Sequence, residues 1–188
     1  MANKKYTELP QANAITGAEI LAIVQDGGSV QGDIDLIKAY FDTLYAPKYA
    51  KISETQTSGT NGGTATADGT FKTRVLNTED NDSGAIVSIS SNQFTLQAGT
   101  YQIHATAPAF AVGGHKAKLR NITDGSDTII GSTETRSSVT QVVVTRSSVV
   151  GEFTIAGAKA FELQHRFETT KTTNGLGIAS SLGTEVYS

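Results

Sequence analysis

Apolar and polar residues alternate along much of the second half of the chain, most clearly in QFTLQAGTYQIHATA at residues 93–107. Phe94 and Leu96 alternate with polar residues, the pair 98–99 interrupts the pattern, and the alternation resumes at Tyr101. Alternation of this kind places one face of each strand in a core and the other face in water. The interruption between the two runs predicts the turn of a β-hairpin.

Short strands of this kind are predicted at regular spacing from Phe71 onward, separated by turn sequences such as DNDSG, TDGSD and TTNG. Roughly eight to ten short strands without a helical stretch indicate a mainly β domain, an antiparallel jelly-roll sandwich. The predicted strands are 71–76, 85–90, 93–97, 100–107, 115–122, 128–131, 139–146, 149–155, 160–169 and 176–187.

The predicted strand 160–169 has the most regular alternation, with apolar residues and one histidine on one face and charged or amide residues on the other. The apolar face of such a strand packs into a core or against a second subunit. Together with two positions from the run that begins at Tyr101, it defines the residues that we expect in the core or at a subunit interface. They are Tyr101, Ile103, Phe161, Leu163, His165 and Phe167.

Residues 1–50 carry most of the helix-compatible sequence and form a predicted small α/β segment. The stretch DIDLIKAYFDTLY begins at Asp33, a suitable N-cap, and Pro47 ends the pattern. Upstream, TGAEILAIVQDGG fits either a helix with a capping box or a short strand followed by a turn, and we favour the strand. The apolar stripe of the predicted helix, which we expect to pack against other residues, includes Ile34, Ile37, Tyr40, Phe41 and Leu44.

Residues 51–69, KISETQTSGTNGGTATADG, are almost all small and polar. Such a segment buries too little apolar area to hold itself together, so it is predicted to be a Gly/Thr/Ser-rich linker. The chain would then consist of residues 1–50, this linker, and a β domain at 70–188. We therefore expect a fragment that starts near Ala67 to fold as the β domain.

Composition and charge exclude several classes of function. The chain of 188 residues has a formal net charge of −3 without a basic cluster, which disfavours nucleic-acid binding. The absence of cysteine rules out disulfides, thiolate metal sites and cysteine nucleophiles. No apolar run has the length of a secretory signal or a membrane span, so we expect a soluble protein made in a cytoplasm, without membrane insertion.

The residues with potential chemistry do not assemble into a known catalytic or metal-binding motif. EDNDSG gathers carboxylates as a calcium loop does, but alignment from Asp80 misplaces the glycine and puts Ser91 where the closing glutamate belongs. A solvated turn fits better, and whether Asp80 and Asp82 bind a cation stays open. No two of the three histidines have metal-ligand spacing, and the nucleophile elbow and phosphate-loop endings are absent. We predict a protein without enzymatic activity, resident metal or cofactor.

Two regions resemble known families. The N-terminal ELPQANAITGAEILAIVQDGG and the following IKAYFDTLY resemble a short module of bacteriophage tail-fibre and related virion proteins, with Leu9 and Pro10 among the matching residues. The stretches FTLQAGTYQIHATAPAF, AKLRNITDGSDTIIGS and FELQHRFETTKTTNGLGIASSLGTEVYS resemble phage relatives of the trimeric jelly roll shared by complement-type and tumour-necrosis-factor-type domains.

The resemblance implies a bacteriophage structural virion protein, a short homotrimeric fibre or spike on the virion surface. Residues 1–50, including Leu9 and Pro10, would attach it to other virion proteins, and the predicted core face of 160–169 would contribute to the trimer interface. The β domain would then bind a host cell-surface glycan or protein, or decorate the capsid. Alternatives are a capsid decoration or cement protein with no receptor role, a secreted glycan-binding module, or a depolymerase. Head or tail location, the receptor, and completion of the C-terminal sheet by a neighbouring subunit stay open.

Overall fold

The computed structural model describes residues 20–25, 28–33, 38–39, 41–42, 46–135 and 143–188. The chain divides into two compact units, Met1–Pro47 and Lys48–Ser188.

The first unit contains an antiparallel strand pair, β1 (Ile20–Gln25) and β2 (Gly28–Asp33). The preference for a strand in TGAEILAIVQDGG is therefore confirmed, and Asp33, the expected N-cap, is the last residue of β2. Residues 38, 39, 41 and 42 are helical, and the Phe41 side chain is 49% exposed. The packing expected for the other anchor residues stays a prediction because they lie outside the described side chains: Leu9, Pro10, Ile34, Ile37, Tyr40 and Leu44.

The second unit consists of antiparallel strands, which confirms the mainly β class predicted from the alternation. They are β3 (Ala50–Ser53), β4 (Thr55–Gln56), β5 (Lys72–Thr73), β6 (Thr78–Asp82), β7 (Val87–Ser90), β8 (Gln93–Leu96), β9 (Gly99–Phe110), β10 (His115–Asn121), β11 (Ser126–Glu134), β12 (Val144–Ile155), β13 (Lys159–Phe167) and β14 (Glu185–Val186).

Strand pairing produces one large sheet and several strand pairs. Five strands of the six-stranded sheet follow the order β11-β10-β13-β8-β7, and β5 also pairs with β13. The two-stranded sheets are β9 with β12, β3 with β6, and β4 with β14. The jelly-roll arrangement expected from the sequence is not confirmed by this pairing.

The core of this unit lies where β8, β10 and β13 of the large sheet pack against β9 and β12. β13 is central because β10 pairs with one of its edges and β8 and β5 pair with the other. Phe161 stacks on Phe94 with ring centroids 5.7 Å apart and also contacts Phe153 at 5.3 Å. Burial of this aromatic cluster contributes to the hydrophobic stabilisation of the unit.

Residues 51–69 do not form the expected linker. β3 and β4 lie within this segment, and Ala65, which is fully buried, exchanges two backbone hydrogen bonds of 3.0 Å with Lys171. Composition suggested a linker because these residues bury little apolar area. The segment is held instead by backbone hydrogen bonds to distant parts of the chain, which composition does not reveal.

Two other predictions about elements need correction. The sequence EDNDSG was expected to form a turn, but Thr78–Asp82 forms β6 and pairs with β3. The predicted strand 176–187 is extended only at β14, whereas the predicted strands around residues 144–155 form the single strand β12. Residues 139–142 lie outside the described part of the chain. None of the helical residues that the structure describes belongs to a segment with the length and hydropathy of a transmembrane helix.

Candidate functional site

Arg74 follows β5 directly, and its side chain is fully buried. Its Nη2 atom donates to Glu54 Oε2 at 3.3 Å and to the carbonyl oxygens of Leu176 and Tyr187, each at 3.1 Å. Its Nη1 atom donates to the Pro108 carbonyl oxygen at 3.4 Å. We call this set the arginine centre. It joins four segments of the chain through one planar donor group.

Burial dominates the electrostatics of the arginine centre. Removal from water lowers the pKa of Arg74 to about 10, while the nearby Glu54 carboxylate opposes the shift. Burial also raises the pKa of Glu54, against the attraction of Arg74. The guanidinium still carries its charge at neutral pH, and carbonyl groups surround it. The centre therefore connects distant chain segments through a buried, charged guanidinium.

A second polar cluster holds the C-terminal strand β14. The Glu185 carboxylate accepts hydrogen bonds from the backbone N–H groups of Ser181 at 2.7 Å, Ser180 at 3.0 Å and Gly59 at 3.2 Å. These donors, with Ser180 the largest contributor, lower the pKa of Glu185 to about 2. Tyr187 then donates its backbone N–H to the Glu54 carbonyl oxygen at 3.0 Å. These contacts connect β14 and the residues before it to Glu54 and Gly59.

Two histidines form a buried pair on neighbouring strands. His115 Nδ1 lies 2.8 Å from His165 Nε2, and His115 Nε2 lies 2.7 Å from the Thr145 hydroxyl. His165 Nδ1 is buried without a hydrogen-bond partner within the described chain. Burial lowers the pKa of His115 to about 4 and that of His165 to about 2, and the Arg74 charge acts in the same direction. Both imidazoles are therefore neutral at physiological pH.

Two imidazoles alone do not complete the coordination shell of a metal ion. Among the residues that the structure describes, no group of three or more His, Asp or Glu side chains is positioned to hold one. A groove of about 270 Å³ lies between the start of β12 and the segment that precedes and includes β14. Arg146 and the already saturated Glu185 are its charged lining residues. This lining provides no pair of free carboxylates for hydrolysis of a glycosidic bond.

The predicted core residues occupy two strands. Phe161, Leu163, His165 and Phe167 are all buried on one face of β13, and Tyr101 and Ile103 are half-buried on β9.

The two acidic residues considered for a cation have other partners. Asp80 contacts Lys51 Nζ at 3.1 Å and accepts a hydrogen bond from Ser53 at 2.7 Å. Asp82 accepts backbone N–H groups from Gly84, Ile86 and Val87. These contacts explain why the pKa of each carboxyl lies below its ordinary value.

Sequence reasoning missed the arginine centre. One signal was available, because Arg74 and Leu76 share a face if residues 71–76 are read as a strand, and both side chains are buried. An arginine in phase with a buried leucine marks a candidate for a buried charge. Glu54 had no corresponding signal, since it lies among small polar residues and its partner is supplied by the fold.

The family of the chain follows from its sequence over the second unit. A fimbrillin-like family model matches residues 48–173. The chain belongs to the fimbrillin-like family. No curated protein matches the chain. Fimbrillin-like proteins form multimeric polymers, and the family implies a location at the surface.

This fimbrillin-like assignment corrects the resemblance drawn from the sequence. The identification as a bacteriophage virion fibre or spike, with a tail-fibre module and a complement-type or tumour-necrosis-factor-type jelly roll, is wrong. The expected roles in virion attachment, head decoration and phage host attachment are therefore also wrong. The expected homotrimer has no support. Motifs such as F-x-L-x-A-G-x-Y describe a generic antiparallel hairpin, so they recur in unrelated β proteins.

Proposed function

We propose that this chain is a structural subunit of a fimbria-like appendage on the bacterial surface, and that it works by assembling with further copies. The observation that carries the proposal is the family match over residues 48–173, which lies within the compact unit Lys48–Ser188. A subunit of this kind needs a stable folded body and contact surfaces, and it needs no reactive group.

The contacts of the second unit support a mechanical role. The arginine centre ties residues 54, 74, 108, 176 and 187 together, and these positions are far apart in the sequence. Contacts between distant segments must break together when the unit opens, so they favour cooperative unfolding over local fraying. Such cooperativity suits a subunit that is exposed to solvent and proteases.

The experiment that tests this function uses antibodies raised against the purified chain. Immunogold electron microscopy of intact cells that produce the protein should label filaments at the cell surface, and deletion of the gene should remove both label and filaments. Label confined to the cell interior, or filaments of unchanged number and form in the deletion strain, would contradict the proposal.

We also propose that the chain has no catalytic activity. The acidic side chains considered for catalysis or metal binding are occupied, since Asp82 and Glu185 accept several backbone N–H groups each and Asp80 contacts Lys51. Incubation of the purified protein with capsule or exopolysaccharide should release no new reducing ends. An enzyme-dependent increase in reducing ends, abolished by heating the protein, would overturn this part of the proposal.

A further inference from the structure

β9 and β12 form an unbroken antiparallel ladder from Gly99 opposite Ile155 to Phe110 opposite Val144. In such a ladder, the backbone groups of alternate residues point toward the partner strand and those of the residues between them point away. Two contacts fix which set points away. Phe110 N donates to the Gly175 carbonyl at 2.9 Å, and the Pro108 carbonyl accepts from Arg74, so the even-numbered residues of β9 face its outer edge.

Four residues of β9 direct their backbone groups toward its outer edge. The N–H and C=O groups of Thr100, Gln102, His104 and Thr106 point away from β12, and none has a hydrogen-bond partner within the described parts of the chain. No strand other than β12 pairs with β9 in the described ranges. A row of unpaired donors and acceptors of this length is a template for another strand.

The side chains of β9 do not protect this edge. Strand edges in soluble proteins are commonly blocked by charged residues, especially lysine, or by proline. β9 has no Lys, Arg, Asp or Glu in its whole length, and its one proline, Pro108, lies beyond the four free residues. The neighbouring strand β12, whose outer edge lies beside β11, does carry charges at Arg146 and Glu152. The uncharged strand is thus the one with the open edge.

We infer that the outer edge of β9 at Thr100–Thr106 is a contact surface for a second copy of this chain, which adds its own β9 in antiparallel orientation. The edge is self-complementary in one register. With Thr100 opposite Thr106 and Gln102 opposite His104 of the second copy, all of the free backbone groups are paired. Shifting the register by two residues in either direction leaves groups unpaired, because Pro108 lacks an N–H and Ala98 precedes the strand.

This register also matches the side chains. The twofold axis passes beside Ile103, which then faces Ile103 of the second copy, while Tyr101 faces Ala105. These three residues are half-buried at the margin of the core, so pairing extends the core across the junction. A twofold contact closes on itself and produces a dimer. The inference goes beyond the proposed function, because a closed dimer does not by itself extend an appendage. It rests on the proposed function only for the choice of a second copy as the partner.

The test measures the mass of the full chain by sedimentation velocity from micromolar to near-millimolar concentration. We expect the wild-type protein to contain a concentration-dependent dimer. In the double variant Gln102→Lys with His104→Lys, each lysine lies directly opposite a lysine of the second copy, at two places in the interface. This repulsion should weaken dimerisation about tenfold or more. Gln102→Lys combined with His104→Glu places opposite charges there and should restore the dimer.

The matched control adds the same two positive charges to the exposed face of the β9–β12 pair, but on β12, away from the outer edge of β9. Val150→Lys combined with Thr154→Lys changes two exposed residues of β12, and Val150 lies directly opposite His104. This control should dimerise as the wild type does. A wild-type chain that is monomeric at every concentration would overturn the inference. Equal effects of the edge and control variants, or failure of the Lys/Glu pair to restore the dimer, would overturn it too.

Amide hydrogen exchange provides a readout with residue resolution. The N–H groups of Tyr101 and Ile103 point toward β12 and should be protected at all concentrations. Those of Gln102 and His104 should become protected only as the protein concentration rises through the dimerisation range. Concentration-independent exchange at all four positions would contradict the pairing.

The two proposals fail separately. If the purified protein forms no dimer but the antibodies still label surface filaments, the β9 contact is refuted and the proposed function is retained. If the protein forms the β9-paired dimer but is absent from surface filaments, the proposed function is refuted and the β9 contact is retained.

Discussion

At the scale of single residues, Arg74 connects more distant segments than any other side chain discussed above. Its charge is compensated by Glu54 and by three carbonyl oxygens, so its removal leaves a buried carboxylate and several unpaired acceptors. Breaking a buried pair by removing one partner costs much more than the pair contributes as a net interaction. The arginine centre is therefore sensitive to single substitutions.

Arg74→Met should lower the free energy of unfolding by about 3–5 kcal/mol, because Glu54 is left buried without its counter-charge. Equilibrium urea unfolding measures the change. Arg166→Met is the control, since Arg166 is exposed on β13, and we expect it to change stability by no more than about 0.5 kcal/mol. Similar effects of the two substitutions would show that the buried guanidinium contributes little.

The histidine pair predicts a dependence of stability on pH. Burial, aided by the positive charge of Arg74, holds the folded-state pKa values of His115 and His165 below the value of about 6.5 in an unfolded chain. Glu134 opposes the shift at His115 but does not cancel it. The unfolded state therefore binds protons that the folded state excludes. The stability that depends on the neutral pair is fully present above pH 6.5. As the pH falls, it is lost down to about pH 4 for His115 and about pH 2 for His165.

Between pH 7 and pH 5.5, the free energy of unfolding should fall by about 2–3 kcal/mol, because both histidines become protonated in the unfolded state and not in the folded state. Each histidine contributes roughly half of this fall. Urea unfolding at several pH values measures it. His165→Gln should reduce the fall by about half, because one titrating group is removed. A variant whose pH dependence equals that of the wild type would contradict this account of the pair.

At the scale of elements, Gly131 allows β11 to approach its neighbouring strands closely. A Cβ atom on Gly131 would lie 2.7 Å from the Ser148 carbonyl oxygen and 2.8 Å from the Ala117 carbonyl oxygen, so β11 passes very close to both β12 and β10. Two of the three nearest atoms are backbone oxygens of different strands, which cannot rotate away, and the third is Val149 Cγ2 at 2.8 Å. Gly131 thus allows the edge strand of the large sheet to lie against β12.

Gly131→Ala should destabilise the second unit by about 1–3 kcal/mol, because the added methyl group forces two strands apart. Gly157→Ala is the control, since a Cβ atom there meets nothing within 4 Å. Thermal unfolding followed by circular dichroism compares the two variants. Equal melting temperatures would mean that β11 shifts without cost.

At the scale of the whole molecule, the boundary of the second unit decides which fragment can fold. The sequence suggested a start near Ala67, but that fragment lacks β3, β4 and Glu54. It would expose β6 and β14, which pair with those strands, and would leave Arg74 without its counter-charge. The compact unit begins instead at Lys48.

A fragment comprising Lys48–Ser188 should fold with a melting temperature within a few degrees of the full chain, because its hydrophobic clusters lie entirely inside it. A fragment that starts at Ala67 should unfold at a much lower temperature or aggregate. Calorimetry of both fragments provides the measurement. A cooperative transition of the shorter fragment at the temperature of the longer one would show that β3 and β4 are dispensable.

The sequence by itself determined the elements whose signal is local. Strands β8, β9, β10 and β13 were predicted within a few residues of their observed ends, and the buried face of β13 was identified residue by residue. In these strands one face lies in the core and the other faces solvent, so apolar and polar residues alternate along the sequence.

The tertiary structure alone decided the features that depend on distant partners. β3, β4 and β6 carry little apolar alternation and exist because their backbone groups pair with segments elsewhere in the chain. In the arginine centre, Arg74 likewise contacts Tyr187, which lies 113 positions away in the sequence. The open edge of β9 also became visible only once the partners of its outward groups were known. Hydrogen-bond pairing between distant segments has no local period, and for this reason no pattern along the chain predicts it.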